Sequence, residues 1–234
     1  MNNVLSVNIR KAGYEADAPV IRDIAFQVEE GELVGLIGPN GAGKSTTVKS
    51  LLGMLRHVDG DIEVGGSRKR WAYVPEQPVL YDYLTLWEHL QLAASAYGLG
   101  ESTFTERAER LLEQFRLTHD RHRLPAGFSK GMQQKMMLIV GFMLEPDVYV
   151  VDEPFVGLDP RATRDFLALL ETERRRGAGV LMSTHVLDTA ERICSRIILI
   201  DGGSVVARGT LAEIREQAGC APGAPLTECF YALT

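Results

Sequence analysis

The residues best suited to chemistry lie in two short stretches. The first, Gly38-Pro-Asn-Gly-Ala-Gly-Lys-Ser45, fits the pattern G-x-x-x-x-G-K-[ST]. Gly41 and Gly43 lack a Cβ, so the backbone can turn its amides onto phosphate oxygens. Lys44 would set a cation against β- and γ-phosphates, and the Ser45 hydroxyl suits Mg2+. A helix expected over 44–55 adds the partial positive charge of its N-terminus. The candidate nucleotide contacts are therefore Gly38, Pro39, Asn40, Gly41, Ala42, Gly43, Lys44, Ser45 and Thr46. The second stretch is Val148-Tyr-Val-Val-Asp152, an apolar strand ending in an acid, with Glu153 directly after it. Asp152 would hold Mg2+, and Glu153 would orient and deprotonate an attacking water. Together the two stretches describe a site for a metal-bound nucleoside triphosphate and the hydrolysis of its terminal phosphate.

Such a site needs a buried strand feeding the glycine loop and a second strand delivering the acids. Leu33-Val-Gly-Leu-Ile37 supplies the first of these. Upstream, Leu5, Val7 and Ile9, then Ile24, Phe26 and Val28, alternate as half-buried strands do. Strands are also expected at 61–64 and 71–74, with a Gly-Gly turn between them. From about 84 to 144 the pattern is helical throughout. One helix there follows a capping-box sequence, Thr103-Phe-Thr-Glu106, and Pro146 closes another. Apolar runs at 148–151, 179–182 and 197–200 then alternate with helices around 161–176 and 187–194, the mark of parallel strands covered on both faces. The chain reads as a single α/β domain over 1–234, with an all-helical subdomain inserted at about 76–146.

The 234 residues are 45% hydrophobic and 24% charged, an ordinary globular balance that excludes disordered, collagenous and coiled-coil classes. A net charge of −6 argues against a dedicated nucleic-acid binder. The longest apolar run, Met136 to Leu144, is far shorter than the ~20 residues that span a bilayer. The N-terminal residues show no secretory pattern, and the three cysteines have no metal-ligand spacing. A reduced, cytoplasmic chain is expected, with any membrane role coming through a partner.

Weaker features have plainer explanations. His119 and His122 lack a third ligand and read as a solvated turn. Arg68-Lys-Arg70 and Arg174-Arg-Arg176 read as solvated faces. Met132, Met136, Met137 and Met143 form a core stripe at helical spacing.

The residues around the two stretches resemble the ATP-binding-cassette (ABC) ATPases. Phe128-Ser-Lys-Gly-Met-Gln-Gln-Lys135 resembles their signature, Gly157-Leu-Asp-Pro160 their D-loop and Ser183-Thr-His185 their switch histidine. Tyr14 sits where the family stacks an aromatic on adenine. The stretches Val79-Leu-Tyr-Asp-Tyr-Leu-Thr-Leu-Trp-Glu-His-Leu90, Ala96-Tyr-Gly-Leu99 and Leu181-Met-Ser-Thr-His-Val-Leu187 are similar to the ATPase subunit of Ecs-type ABC transporters.

This resemblance implies a P-loop NTPase fold: a RecA-like core with a mostly parallel sheet, an N-terminal antiparallel β-subdomain and an all-helical signature subdomain. It implies ATP and Mg2+ as ligands, and a homodimer or paired ATPase subunit in which two chains close head to tail over two nucleotides. Ser129 and Gly131 would touch the γ-phosphate held by the other chain, Asp159 would lie at the seam, and His185 would hold the γ-phosphate and the water. It further implies an integral membrane permease as partner, attachment to the cytoplasmic face of the membrane through it, and export. A soluble ABC-type regulator without a permease is the alternative. Two departures stand out. Lys130 and Met132 replace the usual glycine and glutamine of the signature. In Val74-Pro-Glu-Gln-Pro78 the family's metal-binding glutamine is matched by either Glu76 or Gln77. Trp87, Tyr81 and Tyr83 lie where family members meet the permease.

Overall fold

Alternation along the first sixty residues produces a small antiparallel sheet. β1 (Asn3–Gly13) lies between β2 (Ile21–Glu29) and β4 (His57–Val64), with Val7 opposite Phe26 on one side and Ile62 on the other. The wholly apolar runs build a second sheet of six strands. Its order is β5 (Trp71–Val74), β6 (Val148–Asp152), β7 (Gly179–Thr184), β3 (Leu33–Ile37), β8 (Arg196–Asp201) and β9 (Ser204–Gly209). All neighbours are parallel except β9, which returns antiparallel on β8. These coordinates are a computed structural model describing residues 2–67 and 69–234; Arg68, of the first basic run, lies outside the described residues.

Both faces of the large sheet are covered at its centre, which is why β3 is apolar throughout and β6 is apolar up to Asp152, whereas the edge strand β9 carries Ser204 and Arg208. On β6 the side chains of Val148 and Val150 join the core shared with β1, β2 and α1 (Lys44–Leu51). Tyr149 and Val151 enter the opposite core, under α2 (Leu86–Tyr97), α3 (Glu101–Phe115), α4 (Lys130–Met143) and α5 (Pro160–Arg175). There Phe142 stacks on Tyr149 at 4.4 Å and meets Phe166 edge-on at 5.8 Å. α6 (Leu187–Ile193), α7 (Leu211–Gln217) and α8 (Leu226–Leu233) form a third cluster with β8 and β9.

Several expectations are corrected. α1 stops at Leu51 because Gly53 turns the chain at φ 68°. The stretch 84–144 is not helical throughout: Arg116 closes α3 in the left-handed region, and only short 3-10 turns at Thr118–Asp120 and Pro125–Gly127 precede α4. His119 and His122 lie exposed on this connection. Thr103 is no cap, because α3 begins at Glu101 after an N-cap at Gly100. The capping boxes stand instead at Thr85 with Glu88 and at Thr210 with Glu213. The methionine stripe is core as expected, with Met136, Met137 and Met143 buried and Met132 packed against them.

Candidate functional site

β3 delivers the glycine loop to the N-terminus of α1. Gly43 caps that helix at φ 108°, and a Cβ there would stand 2.6 Å from Cγ2 of Ile21, so both backbone and space require glycine. Lys44 folds back over the loop, its Nζ donating to the carbonyls of Gly38 at 2.8 Å and Pro39 at 3.1 Å. Burial pushes its pKa down, while the charges of Glu153 and Asp152 oppose that shift. A cavity of about 270 Å³ opens above. Asn40, Gly41, Gly43, Lys44, Ser45 and Thr46 form its floor, and Glu76, Glu153 and His185 face them.

The acids stand at the C-terminal end of β6. Glu153 adopts φ 45°, and its amide donates to the carbonyl of Ser183 at 3.1 Å. That left-handed turn carries the carboxylate over the loop, 3.8 Å from Lys44 Nζ. His185 Nδ1 bonds the same oxygen, Oε1, at 2.9 Å. Asp152 lies opposite Ser183 in the sheet register and accepts a short hydrogen bond from the Ser183 hydroxyl. The Tyr73 hydroxyl points at the other Asp152 oxygen from 3.5 Å. Burial, and then the charge of Asp152, raises the Tyr73 pKa far above its ordinary value, so this hydroxyl keeps its proton.

The structure brings only part of the expected set together. Glu76, rather than Gln77, lines the cavity. Tyr14, Gly38, Pro39, Ala42, Ser129, Gly131, Asp152 and Asp159 are not among its walls. Tyr14 is exposed and engaged by Lys49, whose Nζ donates to its hydroxyl at 3.2 Å and lies 5.4 Å from the ring centroid. Ser129 caps α4 by accepting from the Met132 amide at 3.3 Å. Asp159 caps α5 through the Ala162 amide at 2.8 Å and pairs with Lys135 at 2.9 Å. The Ala162 amide first, and Lys135 second, hold the Asp159 carboxyl below the ordinary carboxylate range. Val20 in the cavity wall and Tyr73 on Asp152 were not singled out from sequence, and Ser183 was named only as the start of the switch-histidine stretch, without its contact to Asp152. Only the place of Ser183 in that stretch hinted at any of them.

The oxygen donors suited to a hard cation are the exposed Ser45 hydroxyl and the Glu76 carboxylate in the cavity wall, with the buried Asp152 carboxylate outside that wall, while His185 Nδ1 is taken up by Glu153. Hard, few and partly open, this set suits Mg2+ shared with phosphate. A phosphate-binding loop, a strand-end acid pair and a histidine on the second acid, all at the C-terminal edge of a parallel sheet, define a nucleotide-binding ATPase.

Comparison with known proteins gives the family. The ABC transporter family's sequence model matches residues 21–156. The chain is 50% identical over 231 residues to YthP of Bacillus subtilis (strain 168), named as an uncharacterized ABC transporter ATP-binding protein; the match covers 99% of this chain and 97% of YthP. It is 45% identical over 241 residues to the ABC-type transporter ATP-binding protein EcsA of the same organism, again covering 99% and 97%. A solved ATP-binding subunit of an ABC transporter superposes with a TM-score of 0.93 at 45% identity, covering 98% of this chain and 99% of that one. The chain therefore belongs to the ATP-binding proteins of ABC transporters, a family of ATPases.

Proposed function

We propose that this chain hydrolyses Mg2+-bound ATP as one half of a head-to-tail pair and thereby drives a separate integral membrane permease, at the cytoplasmic face of the membrane and in the direction of export. The observation that carries the pairing is the division of the site. The loop, Glu76, Glu153 and His185 share one cavity, while Ser129, Gly131 and Asp159 stand outside it on the N-termini of α4 and α5. A second copy of the chain would bring those helix ends, with their amides and positive ends, to the terminal phosphate.

Within the cavity the chemistry follows from the contacts. Lys44 exchanges the carbonyls of Gly38 and Pro39 for phosphate oxygens. Ser45, Asp152 and Glu76 would hold Mg2+, which when bound neutralises charge on the phosphates. His185 and Lys44 both engage Oε1 of Glu153, which leaves Oε2 to take a proton from the attacking water. Tyr14 would stack on adenine beside Lys49.

The permease is supported by family membership and by the surface next to Glu76. Val79, Tyr81 and Tyr83 are exposed there, Tyr83 to 92%. Among the described residues no helix is long and apolar enough to cross a membrane. Export is the direction that the resemblance to Ecs-type subunits implies, and it belongs to the proposal. The test is affinity purification of the chain from gently solubilised native membranes, with mass spectrometry of what remains bound in stoichiometric amount. A polytopic membrane protein is expected. Recovery solely with cytosolic proteins would refute the permease and favour a soluble regulator.

A further inference from the structure

We infer that Ser183 and Tyr73 are positioning residues: they fix the Asp152 carboxylate from two neighbouring strands so that its remaining lone pairs face the metal of the nucleotide. This rests on the metal role proposed for Asp152.

A carboxylate has roughly four lone-pair directions, and a terminal side chain that accepts from nothing can turn about its last torsion. Asp152 is buried at 6% exposure, where such freedom would misdirect its charge. Its two oxygens are instead addressed from opposite sides. Ser183, fully buried on β7, donates to Oδ1, and Tyr73, on edge strand β5, directs its hydroxyl at Oδ2. Both donors are neutral, so they orient the carboxylate without neutralising it. That leaves about two lone-pair directions for a cation.

Ser183 does a second thing with the same atom. Its Oγ accepts from the Glu153 amide at 3.3 Å, alongside its own carbonyl at 3.1 Å. The strained turn at Glu153 is thereby held by the residue that orients Asp152, and the two acids are set by one side chain. The chance of such a bridge arises from register, since Asp152 pairs directly with Ser183 across the parallel ladder.

The test compares the affinity for a fluorescent ATP analogue in Mn2+ with that in EDTA, for the wild type, Ser183→Ala, Tyr73→Phe and Asp152→Ala. Ser183→Ala is expected to lose about tenfold of the Mn2+-dependent gain, in line with the loss when a partner of a metal ligand is removed. Tyr73→Phe should lose less, because its contact is longer, and Ser183→Thr should restore the gain by keeping the hydroxyl. Metal-free affinity should stay near wild type, whereas a role in packing alone would lower the thermal midpoint and leave the Mn2+-dependent gain intact. A wild-type Mn2+ gain in both Ser183→Ala and Tyr73→Phe, with Asp152→Ala impaired, overturns the positioning. A wild-type gain in Asp152→Ala overturns the metal role itself. Should Ser183→Ala not fold, Tyr73→Phe, an exchange of one hydroxyl on a half-buried edge strand, decides the matter alone.

Discussion

Replacing Glu153 by glutamine isolates the proton-accepting step. Glutamine has the same length, and its carbonyl oxygen can still accept from His185 Nδ1, so the 2.9 Å contact that holds the histidine is kept. What is lost is the negative charge and the basic oxygen. A positioned general base contributes about 10²–10⁴ in rate, equivalent to roughly 2.7–5.5 kcal/mol of barrier. Lys44, 3.8 Å away, also loses a counter-charge that opposes the cost of its burial. ATP phosphates supply that charge when bound, so nucleotide affinity should hold while turnover falls. The assay is phosphate release under saturating Mg2+ and ATP, together with size-exclusion chromatography of the mutant with ATP. Accumulation of a nucleotide-bound dimer is expected. A mutant that hydrolyses within about tenfold of the wild-type rate would refute Glu153 as the base.

Lys44→Ala removes the cation that the loop carbonyls now hold, and should weaken ATP binding itself in isothermal titration; unchanged affinity would count against the loop as the phosphate cradle. Gly131→Ala puts a Cβ 2.7 Å from the Gly157 carbonyl oxygen. Overpacking of that kind costs about 1–3 kcal/mol, so the thermal midpoint of the nucleotide-free protein should fall by several degrees, and an unmoved midpoint would dissolve the contact. The backbone amides of Thr85 and Thr210, followed by their hydroxyls, hold Glu88 and Glu213 below the ordinary carboxylate range. Depressed values stabilise the fold above the unfolded pKa of about 4.3, a contribution lost as pH falls through the folded value. Acid titration by circular dichroism should therefore show wild type losing more stability than the double variant Thr85→Ala, Thr210→Ala, and parallel curves would contradict this.

Much of the scaffold was legible because buried parallel strands announce themselves. The expected strand at 71–74 is β5 to the residue, with Ala72 and Val74 buried as its alternation requires. Helix ends were less legible, because long-range contacts decide them. The α2 start carries the local capping box of Thr85 and Glu88, but it is fastened as well by the carbonyls of Arg123 and Arg121, which accept from the Leu86 and Trp87 amides. Nothing within 84–90 reveals those partners. Thr103 carries the letters of a cap, but the left-handed Gly98 and the extended N-cap at Gly100 have already turned the chain into α3. α7 and α8 went unread because each is a short helix that owes its place to the third core cluster.

The site divides along the same line. The glycine loop is local chemistry and reads directly, whereas the choice between Glu76 and Gln77 depends on how the chain leaves β5. Tyr73 and Ser183 reach Asp152 only through strand register. The signature and D-loop show most clearly what motif-by-motif reading omits. Gly131 lies against the Gly157 carbonyl and Lys135 pairs with Asp159, so the start of α4 is fastened to the segment that begins directly after Glu153. In the pairing we propose, a shift of Glu153 on loss of the terminal phosphate would be passed along residues 154–159 to the surface offered to the second chain. Opening of that pair and chemistry in the cavity would then be joined by backbone that the sequence presents as two separate motifs.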